Sequence, residues 1–290
     1  MTPQTRKRLK ILAIGIFISG AAVTYFLPNI GAALILHPPR RPLRTDPPEH
    51  YRAVTFDGAG VTLSGWLGKA SGEHRGTVIY LHGMADNRVG GVGALENFRA
   101  RGFDVIAYDS RAHGESGGEA CTYGYFEKND LHRVIDTLRP GPVILIGSSL
   151  GGAVALQAAA TDSRVSAVVA AEAFSDLRTI VIERAPFFFS ASNIEKSFEK
   201  AEREAHIRID EISPAEAAQE ITVPVLIIHG ADDTDTPPAH SQRIFDSLTG
   251  SKRFILVPAA GHNESLQGES WSEIESWVNE VIDAAGERRK

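Results

Sequence analysis

Two short runs of alternating apolar and polar residues, Tyr51–Phe56 and Val61–Trp66, predict an antiparallel strand pair. Beyond them the alternation gives way to continuous apolar runs at Val78–Leu81, Val105–Tyr108, Val143–Ile146, Val225–Ile228 and Phe254–Val257. Such runs read as strands covered on both faces. Helical periodicity fills the intervals: a helix ending near Arg101, one with Leu131, Val134, Ile135 and Leu138 on a single face, and an Ala-rich one from Ala153 to Ala160. Strands alternating with helices predict an α/β architecture, a mostly parallel central sheet flanked by helices.

Two segments depart from this rhythm. The interval from Glu172 to Val223 far exceeds an ordinary strand connection of about 5 residues and predicts a helical lid insertion, about 174–222. Within it, Phe174–Arg184 is expected as a helix stopping near Pro186. Ser192-Asn193-Ile194-Glu195 reads as a capping box opening a charged helix, and Ser213-Pro214-Ala215-Glu216 opens another. The run Phe187-Phe188-Phe189 has three readings: lid core, an acyl-binding wall, or a surface that dips into lipid. At the N-terminus, Arg6, Lys7, Arg8 and Lys10 precede an uncharged stretch, Ile11 to Leu27, that continues past Pro28 to Leu36. A helix over 11–27 rises about 26 Å, at the short end of a bilayer span. We therefore expect residues 1–36 to be an N-terminal membrane helix, with a cleaved signal sequence as the rival. The basic cluster implies a cytoplasmic N-terminus and a periplasmic or extracytoplasmic catalytic domain, secreted outright if a signal is cleaved. Residues 37–49, dense in proline, are expected as a stiff tether, leaving 50–290 as one catalytic domain.

The chemistry concentrates where the Val143–Ile146 run meets Gly147-Ser148-Ser149-Leu150-Gly151. A G-x-S-x-G pentapeptide between a buried strand and a small-residue helix is a nucleophile elbow, which exposes Ser149 on a sharp turn with glycines two residues to either side. A second copy, Gly114-Glu115-Ser116-Gly117-Gly118, opens no apolar helix, so context selects Ser149 over Ser116. Downstream, the strand Val225–Ile228 ends in an acid-rich loop, Asp232-Asp233-Thr234-Asp235. The strand ending at Val257 leads to Gly261-His262-Asn263. Serine, acid and histidine thus follow in the order of a hydrolase triad, each at a strand end. The residue after the nucleophile, Leu150, supplies one backbone N–H for an oxyanion hole.

With these motifs the chain resembles the serine-hydrolase branch of the α/β-hydrolase superfamily from about residue 50 to the end, including membrane-anchored esterases and serine aminopeptidase-like enzymes. The resemblance selects Asp233 as the acid over Asp232 and Asp235, because it lies four residues after the His of a strand-ending His-Gly and four before a proline. It makes His262 the base. It places the second oxyanion donor at Met84, after His82-Gly83, and gives His82 a turn-stabilising role. It also makes Asp109 and Arg111 organisers of polar loops beneath the site. The implied activity is cleavage of an ester bond through an acyl-enzyme. A serine aminopeptidase or acylaminoacyl peptidase is the alternative, with Glu172 or Asp176 as an acidic subsite for an amine, and a non-catalytic binding protein on the same fold is a distant third.

Composition narrows the partners. A formal net charge of −6 gives no reason to expect nucleic acid, and neither Cys/His spacing nor the chemistry calls for a metal or cofactor. The expected partners are a small-molecule or lipid-like acyl substrate and, through the N-terminal helix, a membrane. Cys121, the only cysteine, can form no intramolecular disulfide.

Overall fold

The computed structural model describes residues 2–287, with the side chains of residues 9, 11–24 and 287 outside the description. Its centre is an eight-stranded sheet in which, numbered along the chain, the strands lie in the order first, second, fourth, third, fifth, sixth, seventh, eighth. The two alternating runs form β1 (Tyr51–Asp57) and β2 (Thr62–Gly68), paired antiparallel, and β2 pairs antiparallel with β4 (Phe103–Tyr108). The continuous apolar runs form the parallel part: β3 (Gly76–Leu81), β4, β5 (Val143–Ser148), β6 (Val165–Ala171), β7 (Val225–Gly230) and β8 (Lys252–Val257). Residues of β3, β4, β5 and β7 are buried throughout, as strands covered on both faces must be.

Helices α3 (Glu127–Asp136), α4 (Leu150–Ala159) and α8 (Ala239–Ser247) cover one face, burying Leu131, Val134, Val154 and Ile244 against it. Helices α2 (Val92–Ala100) and α9 (Glu269–Glu287) cover the other through Leu95, Phe98, Ile274 and Val278. The chain enters the parallel sheet at β3 and then steps to opposite sides, to β4 and to β5. The carboxyl ends of β3 and β5 therefore frame a crevice at a topological switch point, the usual ligand position in such sheets.

Between β6 and β7 stand α5 (Leu177–Arg184), α6 (Ala191–Ala205) and the short α7 (Pro214–Ala218). Helix α6 starts earlier than the expected capping box: Ser190, not Ser192, is the N-cap and accepts the Asn193 N–H at 3.2 Å. The next turn's Ser-x-x-Glu spacing resembles a cap but falls inside the helix. Asp176 caps α5 through the Thr179 N–H at 2.8 Å, so that helix begins three residues after Phe174.

The N-terminal helix departs from expectation. Helix α1 spans Pro3–Leu36 with Pro28 inside it. Among the described residues no helix is long and apolar enough to cross a membrane. The side chains at 11–24, where the expected span begins, lie outside the description. The expected extension of a membrane span to Leu36 is corrected: Leu27, Ala32, Ile35 and Leu36 are buried in protein. The last three share a satellite core with Leu177 and Ile180 of α5 and Phe198 and Ala201 of α6. Apolarity alone does not distinguish a helix that meets lipid from one that meets a neighbouring helix.

Candidate active site

Strand β5 runs into Ser149, which adopts φ +50° and ψ −113°, and α4 begins at the next residue. A non-glycine residue in this region is strained and persists only where its surroundings over-determine it. Here the Ser149 N–H donates to Ala171 O at 2.8 Å, tying the turn to the end of β6. The flanking glycines are there for space. A Cβ on Gly147 would meet Gly151 O at 2.2 Å, and one on Gly151 would meet Leu81 O at 2.1 Å, both immovable backbone.

The structure brings the three residues of the expected triad together across 113 positions of sequence. His262 Nε2 lies 3.0 Å from Ser149 Oγ and His262 Nδ1 lies 2.7 Å from Asp233 Oδ2. Asp233 is buried, whereas Asp232 and Asp235 are exposed. Its Oδ1 accepts the N–H groups of Asp235 and Thr236, both at 2.9 Å. Burial alone would raise this carboxyl, but hydrogen bonds from His229, His262 and the Thr236 amide outweigh it and hold Asp233 well below the usual carboxylate range. His229 is fully buried, with Nδ1 2.6 Å from Ser241 Oγ and Nε2 2.7 Å from Thr236 O, and so pins the acid loop from beneath.

Leu150 is the first residue of α4, so its N–H has no carbonyl one turn earlier to bond. Met84 borders the same crevice beside Ser149, and a Cβ on Gly83 would stand only 3.6 Å from that of Ser149. His82 is a fully buried neutral ring: Nε2 accepts the Ser110 N–H at 3.0 Å and Nδ1 donates to Gly83 O at 2.8 Å. Burial and the nearby His113 push its pKa down to about 3. It ties the loop after β3 to the loop after β4.

Those polar loops are organised as follows. Asp109 accepts the Arg88 and Glu115 N–H groups, each at 2.8 Å, and Arg111 makes a buried two-pronged pair with Asp130, both contacts at 2.7 Å. Ser116, in the second pentapeptide, is buried and donates to Asp109 O. It faces no cleft.

One residue at the site carries a role that the sequence does not announce. Glu172, at the end of β6 with φ +53°, is fully buried, and its carboxylate accepts the N–H groups of Asn263 and Ser265, on either side of Glu264 in the loop that presents His262. It lies 3.9 Å from His262 Nδ1. A lone Glu after a strand gives no signal of this; only its partners, some 90 residues away, define it. Glu172 is thus unavailable as an amine subsite. Asp176 accepts the Thr179 N–H and the Ser175 hydroxyl. Glu172, Asp233 and His262 offer ligand atoms within 4.8 Å of one another. The hydrogen bonds just described already engage those of all three.

Two clefts meet at Ser149. One, of about 300 Å³, runs from Met84, Ser149 and Leu150 to apolar side chains of α1 and α5. The other, of about 620 Å³, is polar, with Glu183, Asp235, His262 and Asn263 among its walls. Arg184 stands between them, held by Asp235 O at 2.7 Å and Thr236 Oγ1 at 2.6 Å. Of the three phenylalanines, Phe189 borders the apolar cleft, while Phe187 is 99% and Phe188 56% exposed.

Known proteins are similar to this chain in sequence and fold. The model of the alpha/beta hydrolase fold matches residues 76–191, and that of the prolyl oligopeptidase family matches residues 135–284, just over half the chain. The chain is 26% identical to the uncharacterised protein YfhR of Escherichia coli over 91% of its own length and 90% of that protein's. It is also 26% identical to the uncharacterised YqkD of Bacillus subtilis, a match spanning 64% of each chain. Among solved structures, the esterase Pf2001 of Pyrococcus furiosus superposes with a TM-score of 0.69 at 25% identity, over 86% of this chain and 98% of that one. With the sheet order, the elbow and these matches together, the chain belongs to the α/β-hydrolase superfamily, among its hydrolytic enzymes.

Proposed function

We propose that this protein is a carboxylic-ester hydrolase that works through Ser149, His262 and Asp233 and an acyl-enzyme. The observation that carries the reading is the continuous relay Ser149 Oγ, His262, Asp233, at 3.0 and 2.7 Å, ending at a serine that opens on both an apolar and a polar cleft. His262 Nε2 takes the hydroxyl proton as Ser149 Oγ bonds to the carbonyl carbon. The N–H groups of Leu150 and Met84 hold the resulting oxyanion, each worth about 3 kcal/mol in the transition state. The bond to the leaving alcohol then breaks, and that oxygen receives the proton from His262. Water repeats the sequence: its proton goes to His262, its oxygen to the acyl carbon, and Ser149 recovers its proton as the carboxylic acid departs. The low pKa of Asp233 keeps it anionic throughout, facing the imidazolium as it forms. No step calls on a metal or a cofactor.

The helices over 177–218 act in this reading as a lid, and residues 50–290 as the catalytic domain. We place that domain outside the cytoplasm, attached through the apolar stretch that begins at Ile11, because the basic cluster Arg6 to Lys10 precedes it. Protease protection in intact and lysed spheroplasts tests the placement: a domain cleaved only after lysis of the inner membrane overturns it.

The activity itself is tested on the full chain with p-nitrophenyl esters of graded acyl length beside aminoacyl anilides. Ester turnover that falls roughly four orders of magnitude or more in Ser149→Ala, with an unchanged Tm, is the expected result. Anilide turnover exceeding that of every ester moves the assignment to a peptidase. Failure of a fluorophosphonate to label Ser149 leaves only the binding-protein reading.

A further inference from the structure

We infer that the end of the N-terminal helix is a wall of the acyl-binding cleft, and that Leu34 at its mouth sets the length of acyl chain the enzyme accepts. The inference rests on the ester-hydrolase reading and assigns its substrate class: esters of an extended apolar acyl chain, with the polar part of the molecule leaving on the opposite side. A lead-in helix would ordinarily end before the domain it delivers. This one continues over the site.

Three observations fix it there. Gly31 lets α1 meet α6 with no room between them, since a Cβ at that position would stand 2.2 Å from Ser197 Oγ and 3.0 Å from the Phe189 ring. The terminal carbonyls of the helix are bound to the catalytic domain: Tyr123 Oη donates to Ile35 O and the Cys121 N–H to Leu36 O, both at 2.8 Å. His37, the C-cap, closes the clasp, with Nδ1 2.9 Å from Glu119 O and Nε2 2.7 Å from Glu204 Oε1 of α6. The helix end is thus held at both sides of the cleft.

The lining then identifies the ligand. From Ser149 and Leu150 the cleft passes Phe174 and Leu177, buried apolar residues of the lid region, and Ile180 and Val181 of α5. Leu34 of α1 borders the same cleft and is 66% exposed, so it lies where the apolar wall meets solvent. That surround supplies burial for methylenes and few hydrogen bonds, which suits a hydrocarbon chain. The second cleft, which also borders Ser149, has Glu183 and Asp235 in its walls, a setting that favours a polar leaving group and disfavours an alkyl chain. The carbonyl carbon of an ester seated on Ser149 therefore points its acyl side toward α1.

The test compares kcat/KM for p-nitrophenyl octanoate and acetate in the full chain, its Leu34→Trp and Leu34→Asp variants, and Phe187→Ser. Each methylene buried in the cleft is worth about a fourfold gain, so the wild-type octanoate-to-acetate ratio is expected above roughly tenfold. Leu34→Trp, which fills the mouth, and Leu34→Asp, which charges it, are expected to lower that ratio about tenfold or more at unchanged Tm, because Leu34 is exposed. Phe187 lies outside the cleft, and its replacement by serine is expected to leave the ratio within twofold. Ester turnover whose length preference in both Leu34 variants equals that of the wild type overturns the wall and leaves the hydrolase reading intact. Inactivation by octyl and ethyl fluorophosphonates, compared in the same variants, reads the wall independently of ester turnover: a wild-type preference for octyl that Leu34→Trp abolishes supports it, and an equal preference in both overturns it.

Discussion

At the residue scale, the site depends on a few atoms whose substitution has a definite sign. Glu172→Gln replaces one carboxylate oxygen with an amide NH2, which then faces a backbone N–H of the His262 loop and leaves a buried donor unpaired, at about 1–3 kcal/mol. We expect kcat to fall roughly tenfold to a hundredfold with KM nearly unchanged, since the loop that presents the base shifts while the apolar cleft, which that loop does not line, stays as it is. A loss confined to KM would show that Glu172 acts on substrate rather than on His262. Gly151→Ala is expected to yield no soluble enzyme, because its Cβ meets the carbonyls of Leu81 and His82, both part of the sheet end that supports the elbow. Ser149 and its glycines were legible in the sequence because an elbow is a local object, bounded by a strand on one side and a helix on the other. Glu172 was not. Its meaning depends on two amides that enter from another strand's loop.

At the scale of elements, the junction of α1 with the insertion makes a pH-dependent contact. His37 has its pKa raised, chiefly by its hydrogen bond to Glu204, against a smaller opposing effect of burial. A His whose folded value lies above its unfolded one stabilises fully below about 6.5 and loses that contribution as pH rises through the folded value. The clasp is therefore expected to loosen above neutrality. Limited proteolysis within residues 37–44 should speed up between pH 6 and pH 9, and His37→Gln should remove the difference; equal rates at both pH values in the wild type would sink the idea. The helices between β6 and β7 were legible as elements from their periodicity and, for α6 and α7, from serines near their starts, although Ser192 stood in for the true cap of α6, Ser190. Which helix they pack against was not legible. The stretch from Ile30 to Leu36 reads as lipid-facing when considered alone, whereas its Ala32, Ile35 and Leu36 are core once α6 is placed beside it.

For the molecule as a whole, acid stability follows from histidines buried in neutral form. His82 is held to about 3, and burial likewise lowers His113 and His240. The unfolded chain binds protons at these rings near pH 6.5 while the folded chain refuses them, so stability is complete above that pH and is lost as pH falls from about 6.5 toward 3. A Tm that declines steadily across that interval is expected, and a Tm flat from pH 7 to pH 4 would contradict it. Removing residues 1–36 uncovers Phe174, Leu177, Ile180 and Phe198 along the satellite core. The shortened chain is expected to bind a hydrophobic dye and to unfold several degrees lower, as a loss of about 2 kcal/mol would produce in a domain of this size. The alternation of strand and helix, the elbow and the order Ser149, Asp233, His262 are properties of adjacent residues and chain order, so the sequence by itself determined the fold class and the three side chains that the fold brings together at the elbow. It left open the support of the His262 loop by Glu172, the division of space at Ser149 into an apolar and a polar cleft, and the use of α1 as a wall. Each of those joins segments 50 or more residues apart, and no local pattern records which distant surface a buried side chain will meet; only the packing of the folded chain decides that.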